Sequence, residues 1–189
     1  TMRSALQELT HTTQKSVGAV IQMVSRGALM GARGNSGVIF SQLLRGLAKS
    51  LGDKDEFGAQ DFAAALVEAS ATAYKAVMKP IEGTILTVAK DAAEAAVAAA
   101  KEFTDIGQIL CSVVEAARIS VQKTPSLLPV LAEAGVVDAG GQGLFIFLEG
   151  MLRHLKGEML ELETARPSAQ MLWTMHPEGE SEYGYEVMY

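Results

Sequence analysis

The chain is short of cysteine, histidine, aromatic residues and basic charge, and each shortage excludes something. One cysteine leaves no disulfide framework and suits a reducing, cytoplasmic setting. His11, His154 and His176 stand far apart without ligand spacing, so no histidine-based metal motif is present. The balance of 16 Lys and Arg against 22 Asp and Glu gives a net charge of −6. A chain of that sign lacks the basic face that phosphate-backbone binding requires, which excludes nucleic acid as the main partner. No long apolar run exists either. Residues 92–100 are interrupted by Glu94 and are too short to span a bilayer, so an integral membrane protein is excluded. With only 6% aromatics and almost no period-two alternation before residue 157, a β-rich fold is excluded as well.

What is present is alanine, within a hydrophobic fraction of 49% over 189 residues. That is enough for one sizeable domain without a metal or disulfide staple. Helical spacing recurs along it. A first helix fits residues 2–9, and a second, capped by Thr12 or Thr13, aligns Val17, Val20, Ile21 and Val24. Residues 27–37 are too rich in glycine for a comfortable helix interior, so a third helix is predicted from Ser36, with Ile39, Phe40, Leu43, Leu44 and Leu47 inward. A fourth fits residues 61–78. Pro80 and Gly83 then reset the chain before a fifth helix at 84–103. A sixth covers 105–122, a short turn 127–134, and a last helix 144–155. The expected fold is all-α, an up-and-down antiparallel bundle or barrel of about eight helices over residues 1–157. Residues 158–189 read as a linker followed by the strand-like segment Tyr183-Gly-Tyr-Glu-Val-Met-Tyr189, the start of a second domain.

Up-and-down connectivity has a consequence for placement. If Thr1 marks one end of the bundle, parity returns three glycine-containing segments to that end. These are Gly34-Asn35-Ser36-Gly37, Pro80–Thr84, and the stretch from Thr124 to Gly143 with Asp138, Ala139, Gly140 and Gly141. Each opens a helix. Free backbone N–H groups and the helix dipole make such termini anion sites, and glycine lets a phosphate approach. Three on one rim point to a polyphosphate, most simply a nucleotide, although each alone is also an ordinary turn or cap.

Familiar templates are missing. There is no Gly-x4-Gly-Lys-Ser/Thr loop and no Gly-x-Gly-x-x-Gly after a strand. Ser36 lacks the glycine pattern of a nucleophile elbow, because Val38 follows Gly37. Ser120-Val-Gln-Lys123 has no companion motif and reads as part of a packed helix. Cys111 reads as a buried structural thiol, and the methionines as core. Nucleotide chemistry usually brings Mg2+, which seeks carboxylates. On this rim only Glu82 and Asp138 are on offer, and either could simply serve its helix terminus.

Three segments carry a resemblance: Gly27-Ala-Leu-Met-Gly-Ala-Arg-Gly-Asn-Ser-Gly-Val-Ile39, Ala76-Val-Met-Lys-Pro-Ile-Glu-Gly-Thr-Ile-Leu-Thr-Val-Ala89 and Glu133-Ala-Gly-Val-Val-Asp-Ala-Gly-Gly-Gln-Gly-Leu144. In order and over about residues 1–156, they resemble the nucleotide-binding (L-type) domain of the dihydroxyacetone kinase family. The closer likeness is to the N-terminal domain of bacterial fatty acid kinases. The resemblance implies an α-helical barrel with ATP or ADP and Mg2+ at one mouth. It also implies transfer of the γ-phosphate to a fatty acid held by a separate acyl-binding protein. Gly34, Asn35, Ser36 and Gly37 would hold phosphates, Thr84 would lie beside them, and Asp138, Ala139, Gly140 and Gly141 would flank the nucleotide. A homodimer is one assembly open to the full-length protein.

One departure is large. The family chelates magnesium with an Asp-Gly-Asp-Thr-Gly loop, absent here, whose place would be just before Thr1. This chain is therefore expected to bind nucleotide weakly and to lack kinase activity, with no catalytic or metal-ligating residue of its own. Two other readings compete: an L-type subunit of a dihydroxyacetone kinase, and a non-catalytic helical scaffold or regulatory module.

Overall fold

The computed structural model describes residues 1–10 and 12–158. The segment expected to be a linker and strand, with His11 and His176, lies outside the described residues. Over the described residues the chain forms eight helices and no strand: α1 (Met2–Leu9), α2 (Val17–Met30), α3 (Gly34–Leu51), α4 (Ala59–Lys75), α5 (Ile85–Ala99), α6 (Ile106–Leu127), α7 (Pro129–Ala134) and α8 (Ala139–Leu155). Helices consecutive in sequence are neighbours from α1 to α6, and α8 lies against both α5 and α6. The all-α, up-and-down expectation is met.

Small side chains set the packing. The inward faces of α4 and α5 are largely alanine, with Ala65, Ala69 and Ala73 on one and Ala89, Ala92 and Ala96 on the other. Helices faced with alanine approach closely and lose no side-chain entropy on burial. Where α3 meets α4 there is no room even for a methyl. A Cβ on Gly46 would stand 2.6 Å from the Glu68 carbonyl oxygen and 2.8 Å from the Ala69 nitrogen. Leu86, Val88, Ile109, Leu110 and Val113 fill the centre and are fully buried. A smaller cluster joins Ala5, Ala28 and Leu44 from the first three helices. Phe40 of α3 and Phe147 of α8 pack against both clusters and meet edge-on, with ring centroids 5.3 Å apart.

Several helix limits differ from expectation. Glycine does not end α2, which continues through Gly27 to Met30. Gly27 is needed inside the helix because a Cβ there would lie 2.7 Å from the Ser4 carbonyl oxygen of α1. The cap of α2 is Ser16, with Thr12 and Thr13 in the preceding non-helical segment. Helices α3 and α8 begin earlier than predicted, at Gly34 and Ala139, so Gly34, Gly37, Gly140, Gly141 and Gly143 lie within helices rather than loops. Helix α6 passes through Pro125 to Leu127 instead of stopping at residue 122. Proline has no N–H for the carbonyl four residues back. Here the Thr124 hydroxyl donates to that carbonyl, Val121 O, at 2.7 Å and fills the gap. Conversely, α4 and α5 end before the predicted 78 and 103.

Two side-chain expectations also fail. Cys111 is exposed, since the buried face of α6 is set by Ile109, Leu110, Val113 and Ala117. Met30 and Met78 are exposed too, the first ending α2 and the second in the α4–α5 connection.

Candidate functional site

The segments that parity assigned to one rim do meet there. A cleft of about 280 Å³ is walled by Ser36 and Gly37 at the start of α3, Ile85 at the start of α5, and Ala139 and Gly140 at the start of α8. Thr1 and Met2 close its remaining side. Its floor is apolar, made by Phe40, Leu144 and Phe147. Among the described residues no Lys or Arg lines it. Any anion held here would therefore rest on backbone N–H groups, hydroxyls and helix dipoles rather than on cationic side chains.

The three helix starts are not equivalent. Thr84 caps α5: its hydroxyl accepts from the Leu86 N–H at 3.4 Å and donates to the Ile81 carbonyl at 2.8 Å. Asp138 caps α8, its Oδ2 accepting from the Gly141 N–H at 2.6 Å. The Asp138 N–H donates to Thr124 Oγ1 at 3.0 Å, which fixes where α8 begins. Helix α3 has no such partner. Its capping position is Arg33, no side chain accepts from its first turn, and Gly34 enters with φ +64°. A left-handed residue costs glycine little and other residues more, so Gly34 sets the entry angle. The first turn of α3, with Asn35 and Ser36 exposed, thus offers N–H donors that no side chain among the described residues caps.

Of the residues singled out from the sequence, Ser36, Gly37, Ala139 and Gly140 line the cleft. Gly34 and Asn35 lie in the same turn of α3 as Ser36, and Thr84 directly precedes the Ile85 wall. Asp138 and Gly141 serve the fold of the α8 start. Gly141 is buried, and a Cβ there would meet Val88 Cγ2 at 2.8 Å. Sequence reasoning missed Gly143 and Ile85, and it took Phe40 only as core. The available signal was spacing. Gly140, Gly143, Leu144 and Phe147 recur at helical intervals along one face of α8, as do Ser36, Gly37 and Phe40 on α3.

Glu82 was one of two carboxylates available for a metal, and it is otherwise engaged. Tyr74 donates to its Oε1 at 3.1 Å and Thr87 to its Oε2 at 2.6 Å. Burial of the Tyr74 phenol, with the nearby Glu82 charge, pushes its pKa up to about 12. Among the described residues no three His, Cys, Asp or Glu side chains group as they would around a metal ion. Asp138 alone, with one oxygen already accepting a hydrogen bond, does not fit Mg2+. Ser120 is buried, and its Oγ has no hydrogen-bond partner among the described residues. His154 is exposed.

Two larger concavities lie elsewhere. One, of about 540 Å³, is an outer groove between α4 and α5 with Val67, Ala71 and Ala93 in its walls. The other, of about 580 Å³, lies at the opposite end of the bundle, between Phe57, Phe62, the start of α6 and the end of α8. The first holds no helix start, and the second flanks those of α4 and α6 but is lined by the Asp105 carboxylate that caps α6, so volume alone does not select the site. No helix among the described residues is long and apolar enough to cross a membrane.

Fold and cleft together define an all-α domain whose mouth is built from helix N-termini. Residues 1–153 match the DAK2 domain, and the chain belongs to that family, the L-type domains of the dihydroxyacetone kinase family. It is 52% identical over 167 residues to protein YloV of Bacillus subtilis, which covers 88% of this chain and 30% of that protein. It is also 46% identical over 172 residues to protein SSP1546 of Staphylococcus saprophyticus, covering 91% of this chain and 31% of that protein. The chain thus spans about a third of the length of the curated relatives it matches.

Proposed function

We propose that the chain is the ATP-binding domain of a fatty-acid-kinase-like phosphotransferase. The rim cleft would take the nucleotide, with its phosphates against the open first turn of α3. The observation that carries this is the meeting of the α3, α5 and α8 starts on one cleft, with the α3 start lacking a side-chain cap among the described residues. Uncapped N–H groups in the first turn are unsatisfied donors, and a phosphate satisfies several at once. Gly37 and Gly140 keep the walls low enough for close backbone approach, and Ser36 and Thr84 add hydroxyls. The apolar floor of Phe40, Leu144 and Phe147 suits the flat face of a base. Family membership supports kinase chemistry in the whole protein. The acyl acceptor and its carrier rest on the likeness of the three glycine-bearing segments to fatty acid kinases.

The described residues do not by themselves fit Mg2+, so no step of this proposal runs through a metal that they hold. What they do is bind and orient. Calorimetric titration of this chain with ATP tests the reading. Binding is expected, weakened at least about threefold by Ser36→Ala, the loss of a single hydrogen bond. No heat with ATP, or affinity indifferent to Ser36, would overturn the site. The acceptor is tested in the full-length protein with labelled ATP, offering an acyl-loaded carrier in one arm and glycerone in the other. Phosphate transfer to glycerone alone would favour the dihydroxyacetone kinase reading.

A further inference from the structure

The α4–α5 connection is held by a chain of hydrogen bonds whose direction is fixed. The Gly83 N–H can only donate, and it donates to Thr87 Oγ1 at 2.9 Å. That hydroxyl then gives its single proton to Glu82 Oε2 at 2.6 Å, and Tyr74 gives its own to Oε1 at 3.1 Å. A carboxylate at position 82 is the acceptor that both hydroxyls require. Thr87 is buried, so its partners cannot be replaced cheaply by water. The turn held in this way has little slack. Gly83 has φ +81°, and a Cβ there would lie 3.0 Å from the Cβ atoms of both Leu127 and Leu128. It would also lie 3.1 Å from the Thr124 carbonyl oxygen. Thr124 is the same residue whose hydroxyl accepts the Asp138 N–H. The starts of α5 and α8, two walls of the rim cleft, are therefore registered against each other through one short turn.

We propose that Glu82 is a positioning residue for the nucleotide cleft, acting through Thr87 and Tyr74 to fix the Gly83–Thr84 turn without touching the ligand. This rests on the nucleotide reading above. It assigns the Glu82 carboxylate neither to a metal nor to the helix dipole but to the geometry of the α5 wall. Loss of the chain of bonds frees the turn, so Thr84 and Ile85 no longer hold their places beside Ser36 and Gly140.

The test is an amide NMR titration of this chain with ATP, comparing wild type with Thr87→Val, Thr87→Ser, Glu82→Ala and the Thr87→Val/Glu82→Ala double variant. Thr87→Val keeps shape and removes only the hydroxyl. It is expected to lower ATP affinity about tenfold, whereas Thr87→Ser restores it to within about twofold. Glu82→Ala should match Thr87→Val, and the double variant should fall no further, because both cut the same chain. Val113→Ala, in the core away from the turn, serves as the stability control. It should lower the melting temperature and leave affinity unchanged. Wild-type affinity in Thr87→Val, additive losses in the double variant, or an equal loss in Val113→Ala would each overturn the positioning role. Failure of the wild type to bind ATP would instead overturn the nucleotide reading beneath it.

Discussion

Gly143 offers a perturbation with effects of opposite sign. It sits inside α8, is exposed, lines the rim cleft, and a Cβ built on it would meet nothing within 4 Å. In a helix interior, replacing glycine by alanine gains about 0.5–1 kcal/mol, because the unfolded chain loses freedom and no contact is broken. For a domain of this size that raises the melting temperature by about 1–4 °C. The same methyl projects into the space assigned to the nucleotide. Overfilling a packed site costs about 1–3 kcal/mol, or about 5- to 150-fold in affinity. Gly143→Ala should therefore melt later than wild type and bind ATP more weakly. Gly141→Ala, two residues away, should only destabilise, since its Cβ would come within 2.8 Å of Val88 Cγ2. Thermal unfolding with and without ATP reads both effects in one experiment. A Gly143→Ala protein that is less stable without ligand would refute the helix geometry. One that is more stable with undiminished ATP affinity would remove α8 from the cleft wall.

Three further outcomes follow from single contacts. Asp138→Ala removes the cap on α8 and should cost about 1 kcal/mol in denaturant unfolding, while Asp138→Asn keeps most of it; equal losses would mean that charge, not the cap, matters. Ser120→Ala deletes a buried hydroxyl without a partner and should be neutral or stabilising by up to about 1 kcal/mol, so clear destabilisation would reveal a partner. The Tyr74 pKa is raised from its ordinary value of 10.0 to about 12, so the folded state favours the protonated phenol. Its contribution to stability is complete below pH 10 and is lost as pH rises toward 12. Tyr74→Phe should flatten that part of the stability–pH curve, and an unchanged slope would contradict the assignment.

Much of this was legible from spacing alone. The inward set on α3 stood out because Ile39, Phe40, Leu43, Leu44 and Leu47 recur at helical intervals, and Leu43 and Leu44 are indeed buried. The rim followed from parity, which needs only the count of helices and short connections. What escaped was decided by contacts distant in sequence. Gly27 looked like a helix breaker, yet it is where the backbone of α1 presses close against α2. Pro125 looked like a stop, but the Thr124 hydroxyl supplies the bond that proline cannot. Glu82 read as a carboxylate for a metal or for its helix terminus, and only the fold brings Tyr74 and Thr87 to it.

The central claim is that ATP binds where the starts of α3, α5 and α8 meet. The most direct measurement is the crystal structure of this chain with a non-hydrolysable ATP analogue. The account predicts phosphate density within hydrogen-bond reach of the Asn35, Ser36 and Gly37 N–H groups, with the base over Phe40 and Phe147. Density in the outer α4–α5 groove, or between Phe57 and Met151 at the opposite end, with the rim empty, would contradict it.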